Sequence, residues 1–173
     1  SVVDLATHKV SRTIAVGKTP VAAWRSWNGT MFVSNEADNS VTKLSPDLKT
    51  SDSTWSVSGT PGMVLAAPAS DEVWVAIESL GVIAVFDAAT HAATRTFTAG
   101  TKPHGLAFDG LEDRVFVTDE AGNQVLVLSR RTGKLLDQFN TGTGPNGVLW
   151  LAHGGDVLPD GGVDKDGGTD GGV

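Results

Sequence analysis

Pro103-His104-Gly105-Leu106-Ala107-Phe108, Asp109-Gly110, then Arg114-Val115-Phe116-Val117-Thr118 reads as two short strands around a turn. The chain continues through Asp119-Glu120-Ala121-Gly122-Asn123, a second turn rich in turn formers. Gln124-Val125-Leu126-Val127-Leu128 is a third strand of β-formers. Arg130-Arg131-Thr132-Gly133-Lys134 reverses the chain again, and Leu135-Leu136-Asp137-Gln138-Phe139 makes a more polar fourth strand. Four short strands joined by tight turns predict one antiparallel sheet.

The unit recurs. Pro20, Pro61, Pro103 and Pro145 are separated by 41, 42 and 42 residues. Gly17, Gly59, Gly100 and Gly142 precede them by two or three positions. Phe32-Val33, Trp74-Val75 and Phe116-Val117 keep the same step, as do Glu36, Glu78 and Glu120. A fixed period near 40 residues built from short strands predicts a β-propeller, each repeat being one blade. Proline suits the entry to the innermost strand, where a missing N–H costs little. No stretch carries sustained helical periodicity, so almost no helix is expected.

The blade count is incomplete. Val2 to Leu5 and Arg12 to Val16 read as the third and fourth strands of an opening half-blade. Inner strands are expected from Val21, Met63 and Gly105, and again over 147–152 after Pro145. Where the next aromatic-Val pair should fall stand Leu158 and Pro159. The expectation is an all-β partial propeller over residues 1–152, of about three and a half four-stranded blades. Closed rings have 4–8 blades. The remaining blades are therefore expected from a longer chain or a second copy, or else the arc stays open at a cost in stability.

Residues 153–173 form an Asp/Gly-rich tail, expected to be flexible. Asp164, Asp166 and Asp170 place oxygen ligands at a calcium-like spacing, but the distal Glu of an EF-hand is missing. The ordinary reading is a solvated linker.

Net charge is −7, and more than half of the excess negative charge lies in the last eighteen residues. An acidic balance argues against nucleic acid, which asks for a basic footprint. The absence of cysteine excludes disulfides, thiolate metal sites and a Cys nucleophile. No apolar run is long enough to span a bilayer. There is no Gly-x-Ser-x-Gly, no His-Glu-x-x-His and no phosphate loop.

Phe32-Val33-Ser34-Asn35-Glu36-Ala37-Asp38-Asn39 and Phe116-Val117-Thr118-Asp119-Glu120-Ala121-Gly122-Asn123 resemble the YVTN-type β-propeller repeat. Asp4-Leu5-Ala6-Thr7 and Asp87-Ala88-Ala89-Thr90 are similar to that family's Asp-x-x-Thr turn. The second blade departs most, with Ile77 in place of Asn35 or Asp119. The resemblance implies a bacterial or archaeal protein, periplasmic, secreted or on the cell surface. It also implies a varied set of functions, among them binding modules and lactonase- or lyase-type enzymes.

Chain reversal puts the loop into the innermost strand and the loop after the second strand on one face. His104 and Asn146, each directly after its proline, then approach the channel mouth with Asn35-Glu36, Glu78 and Asp119-Glu120. The three glutamates would form an acidic arc suited to calcium or a cationic ligand. His104 with Glu120 would make an acid/base pair. The plain alternative is that these are repeated turn residues serving the repeat itself. Trp24 and Trp27 are read on one strand face, as packing or as a stacking surface, and Arg130-Arg131 as a solvated pair. The first expectation is a non-catalytic binding or scaffold module for a protein or small-molecule ligand, without cofactor. The alternative is a lactonase- or lyase-type enzyme with a metal or His104 at the channel face.

Overall fold

The structure is a computed structural model and describes residues 1–68 and 70–151. A two-stranded sheet of β1 (Val2–Asp4) and β2 (Lys9–Arg12) opens the chain. Blade 1 comprises β3 (Pro20–Arg25), β4 (Met31–Asn35), β5 (Ser40–Leu44) and β6 (Ser51–Ser56). Blade 2 comprises β7 (Pro61–Ala66), β8 (Glu72–Ile77), β9 (Val82–Asp87) and β10 (Ala93–Thr98). Blade 3 comprises β11 (Pro103–Phe108), β12 (Arg114–Asp119), β13 (Gln124–Ser129) and β14 (Leu135–Asn140). In each blade the strands lie in chain order and pair antiparallel.

The two-residue period of a strand explains how blades stack. On β8, Val73, Val75 and Ile77 face blade 1, where Phe32, Val41 and Trp55 meet them. Trp74 and Ala76 face the other way, onto Leu106, Val115 and Val117 of blade 3. Blade 2 is therefore apolar on both faces, and β8 is buried from Val73 to Ile77. Trp74 is fully buried and meets Phe108 edge-on, with ring centroids 5.3 Å apart.

Several details differ from the sequence reading. The inner strands begin at the prolines themselves, with a register break two or three residues later. The opening fourth strand ends at Arg12, not Val16. The expected inner strand at 147–152 is absent over its described part: residues 147–151 form no ladder. An inner strand pairs with the second strand of its own blade, and no such strand lies among the described residues. Trp27 falls in the turn beyond β3 instead of on the strand. One turn of 3-10 helix, Glu78–Leu80, is the helical content among the described residues. It sits where blade 2 departs from the repeat.

The arginine pair also splits. Arg131 is exposed, whereas Arg130 lies over the Phe108 ring at 5.1 Å and donates to Ser70 Oγ at 3.2 Å. Arg95 joins it by donating to the carbonyls of Arg130 and Arg131 and by pairing with Glu72. This belt links blades 2 and 3. The Asp/Gly-rich stretch 153–173, with Asp164, Asp166 and Asp170, lies outside the described residues.

Candidate functional site

Pairing of Pro20 with Asn35, Pro61 with Ile77 and Pro103 with Asp119 brings the two expected loops together in every blade. One backbone bond then recurs: the N–H groups of Glu36, Glu78 and Glu120 donate to the carbonyls of Thr19, Thr60 and Lys102. The three glutamates thus leave the sheet at equivalent points on the channel face.

Beyond the backbone the equivalence breaks. Glu78, His104 and Glu120 present ligand atoms within 4.8 Å of one another. His104 Nδ1 lies 2.5 Å from Glu78 Oε1. Lys102 Nζ lies 2.8 Å from Glu120 Oε2 and 3.6 Å from Glu78 Oε2. The cluster spans two blades. Glu36 is exposed and stands outside it. His104 therefore meets Glu78 of the preceding blade, whereas the sequence reading paired it with Glu120.

Space for this contact comes from Gly62, the residue matching His104 in blade 2. A Cβ there would lie 2.6 Å from Glu78 Oε1 and 3.3 Å from His104 Nδ1. Lys102 was not singled out by sequence reasoning. The signal was a departure from the repeat, since the residue before the other two inner-strand prolines is Thr19 or Thr60. The hydrogen bond to Glu120, aided by the charge of Glu78, raises the Lys102 pKa. The same bond lowers that of Glu120.

Asn35 and Asp119 turn inward from the face. Asn35 is fully buried, and its Nδ2 donates to Ser40 Oγ and Thr42 Oγ1 at 3.1 and 3.0 Å. Asp119 accepts from the N–H groups of Thr101, Lys102 and Gly122 and from Gln124 Nε2. Burial pushes its carboxyl pKa up, but these hydrogen bonds outweigh it and hold the pKa below the usual value. Asp119 is therefore a positioning group, tying down the loop that carries Lys102 and leads to His104. Asn146 is exposed.

Chemically the cluster offers two carboxylates, an imidazole and an ammonium. One oxygen each from Glu78 and Glu120 and one nitrogen of His104 can hold a divalent cation once Lys102 moves aside. At the opposite end of the inner strands a cavity of about 760 Å³ is lined by Trp24, Trp27, Met63, Phe108 and Trp150. It is largely apolar, with Arg25 the charged residue on its wall.

Two solved structures show the same architecture. Hydrazine synthase from Kuenenia stuttgartiensis superposes with a TM-score of 0.71 at 19% identity, over 79% of this chain and 41% of that one. The fold is a β-propeller arc. The WD40 repeats of RRP9 superpose with a TM-score of 0.65 at 13% identity, over 76% of this chain and 42% of that one. The arc thus spans about two fifths of the length of either. At such identities the likeness concerns the fold alone. No protein-family model and no curated protein sequence matches the chain. Among the described residues of the propeller arc, no helix is long and apolar enough to cross a membrane.

Proposed function

We propose that this chain is part of a non-catalytic propeller binding module, of the YVTN-like kind, working in the periplasm or at the bacterial cell surface. The resemblance of Phe32-Val33-Ser34-Asn35 and the Asp-x-x-Thr turns supports the family and the compartment. The observation that carries the binding reading is the convergence of Glu78, Lys102, His104 and Glu120 from two blades. Lys102 already sets a cation between two carboxylates. The ligand that fits best is therefore a divalent cation, or a cationic group, that takes the place of its ammonium.

Titration calorimetry with Ca²⁺, Mn²⁺ and Zn²⁺ tests this. Binding to the wild type is expected to disappear in Glu78→Gln and to tighten in Lys102→Met, which removes the internal competitor. Equal heats in all three proteins would refute it.

The Glu78–His104 contact favours a second reading, an acid/base catalyst of the lactonase kind. A carboxylate on Nδ1 orients an imidazole and leaves Nε2 free for a substrate proton. Hydrolysis of a model lactone that is lost in His104→Ala would support it. Wild-type rates equal to buffer would leave the binding reading alone.

A further inference from the structure

At both blade junctions the turn between the third and fourth strands of one blade covers the fourth-strand aromatic of the blade before. Trp55, on the fourth strand of blade 1, is covered by His91, from the turn between the third and fourth strands of blade 2. The rings are parallel within 4° with centroids 4.4 Å apart, and His91 Nε2 lies 3.3 Å from Ser53 Oγ. At the next junction Phe97 is covered by Gly133, so closely that a Cβ there would overlap the ring. His91 and Gly133 are both left-handed, with φ of 61° and 69°. Strand register makes Trp55, Phe97 and Phe139 equivalent, since they pair with Val41, Ile83 and Val125.

The third aromatic has no cover among the described residues: Phe139 is 51% exposed. The opposite end of the arc presents the missing half. His8 is left-handed, with φ of 55°, and exposed. Its turn repeats that of His91. Thr7 donates from N–H and Oγ1 to Asp4 Oδ1 at 2.7 and 2.8 Å, as Thr90 does to Asp87 Oδ1 at 2.7 and 2.9 Å. Val3 pairs with Val10 as Phe86 pairs with Ala93. Phe86 is buried against Trp55, whereas Val3 is half exposed. At the receiving end Asp137 stands where Ser53 faces His91, which puts a carboxylate opposite an imidazole.

We propose that a second copy of this chain docks its β1–β2 turn on the open face of blade 3. His8 of that copy stacks on Phe139, with Asp137 beside its ring and Val3 against the apolar face. Phe116, half-buried here, becomes covered as its counterparts Phe32 and Trp74 are inside the arc. One copy carries both halves of this contact. In this arrangement two copies, joined twice about a two-fold axis along the channel, leave neither face open. The two internal junctions argue for this occupant, because the surface asked for is the surface the chain itself displays.

Sedimentation velocity between roughly 1 and 100 μM reads the association directly. Reversible formation of a species of two copies is expected. Phe139→Asp and Asp137→Lys should each weaken it about tenfold or more, since both act at an interface anchor, with the monomer melting curve unchanged. Phe139→Trp rebuilds the Trp55 position and should tighten it. A wild type of single-copy mass throughout overturns the proposal. So does growth beyond two copies, or an association that Phe139→Asp leaves intact.

Discussion

Asp119 offers the sharpest test of how the channel face is held. Its side chain is 1% exposed and takes four hydrogen bonds, of 2.8 to 3.2 Å. Alanine would leave the N–H groups of Thr101, Lys102 and Gly122 without this acceptor. Each hydrogen bond to a charged group contributes about 1.5–3 kcal/mol, but the freed donors partly recover water, so the loss should be about 3–5 kcal/mol. For a chain of this length that lowers the melting temperature by about 10 °C. The other blades meet the same need differently. Thr60 N–H is taken by Ser79 Oγ at 2.9 Å and Lys18 N–H by Asp38 Oδ2 at 2.6 Å. Those loops should not respond to the change.

The pH dependence follows from the lowered pKa of Asp119. Its stabilisation is complete above the unfolded carboxyl value, about 4, and is lost as pH falls through the lower folded value. The melting-temperature gap between wild type and Asp119→Asn should therefore be widest from neutral pH to about pH 5 and should narrow below about pH 4. Circular dichroism in the strand band and tryptophan fluorescence follow both curves. An Asp119→Ala protein melting within about 3 °C of wild type would refute the argument. A gap that stays constant into strong acid would do the same.

Trp74→Ala empties the centre of the junction between blades 2 and 3 and should cost about 3–5 kcal/mol, read by denaturant melts. A loss near 1 kcal/mol would mean that the junction collapses onto the space. Gly62→Ala should displace the Glu78 carboxylate from His104 while barely moving the melting temperature, because the obstructed atom ends a flexible side chain. Its signature would be weaker cation binding at unchanged stability, and unchanged binding would count against the Glu78–His104 site. His91→Gly keeps the left-handed turn but removes the ring on Trp55. It should red-shift tryptophan emission and cost about 1 kcal/mol, and an unaltered spectrum would contradict the stacking.

The architecture was legible because a repeat states its structure several times. Pro20, Pro61 and Pro103 mark three inner strands, and each error at a boundary is small beside a period of 41 or 42 residues. The equivalence of Glu36, Glu78 and Glu120 was legible for the same reason, and their shared backbone bond accounts for it. What the repeat hid was the exceptions. Lys102 and Gly62 shape the cluster by departing from the pattern, and a period draws the eye to what recurs. Asn35 and Asp119 matched the pattern yet face inward, since each satisfies polar groups inside its own blade.

Sequence alone thus determined the fold class, the prolines at which the three described blades begin and the face on which polar residues gather. Those follow from local alternation and turn chemistry, which act within a few residues. Tertiary structure decided which glutamate His104 meets, where Lys102 places its charge, and that His91 covers Trp55 of the preceding blade. Such contacts join residues one or more blades apart, and their partners are chosen by the stacking of sheets, which no single repeat encodes.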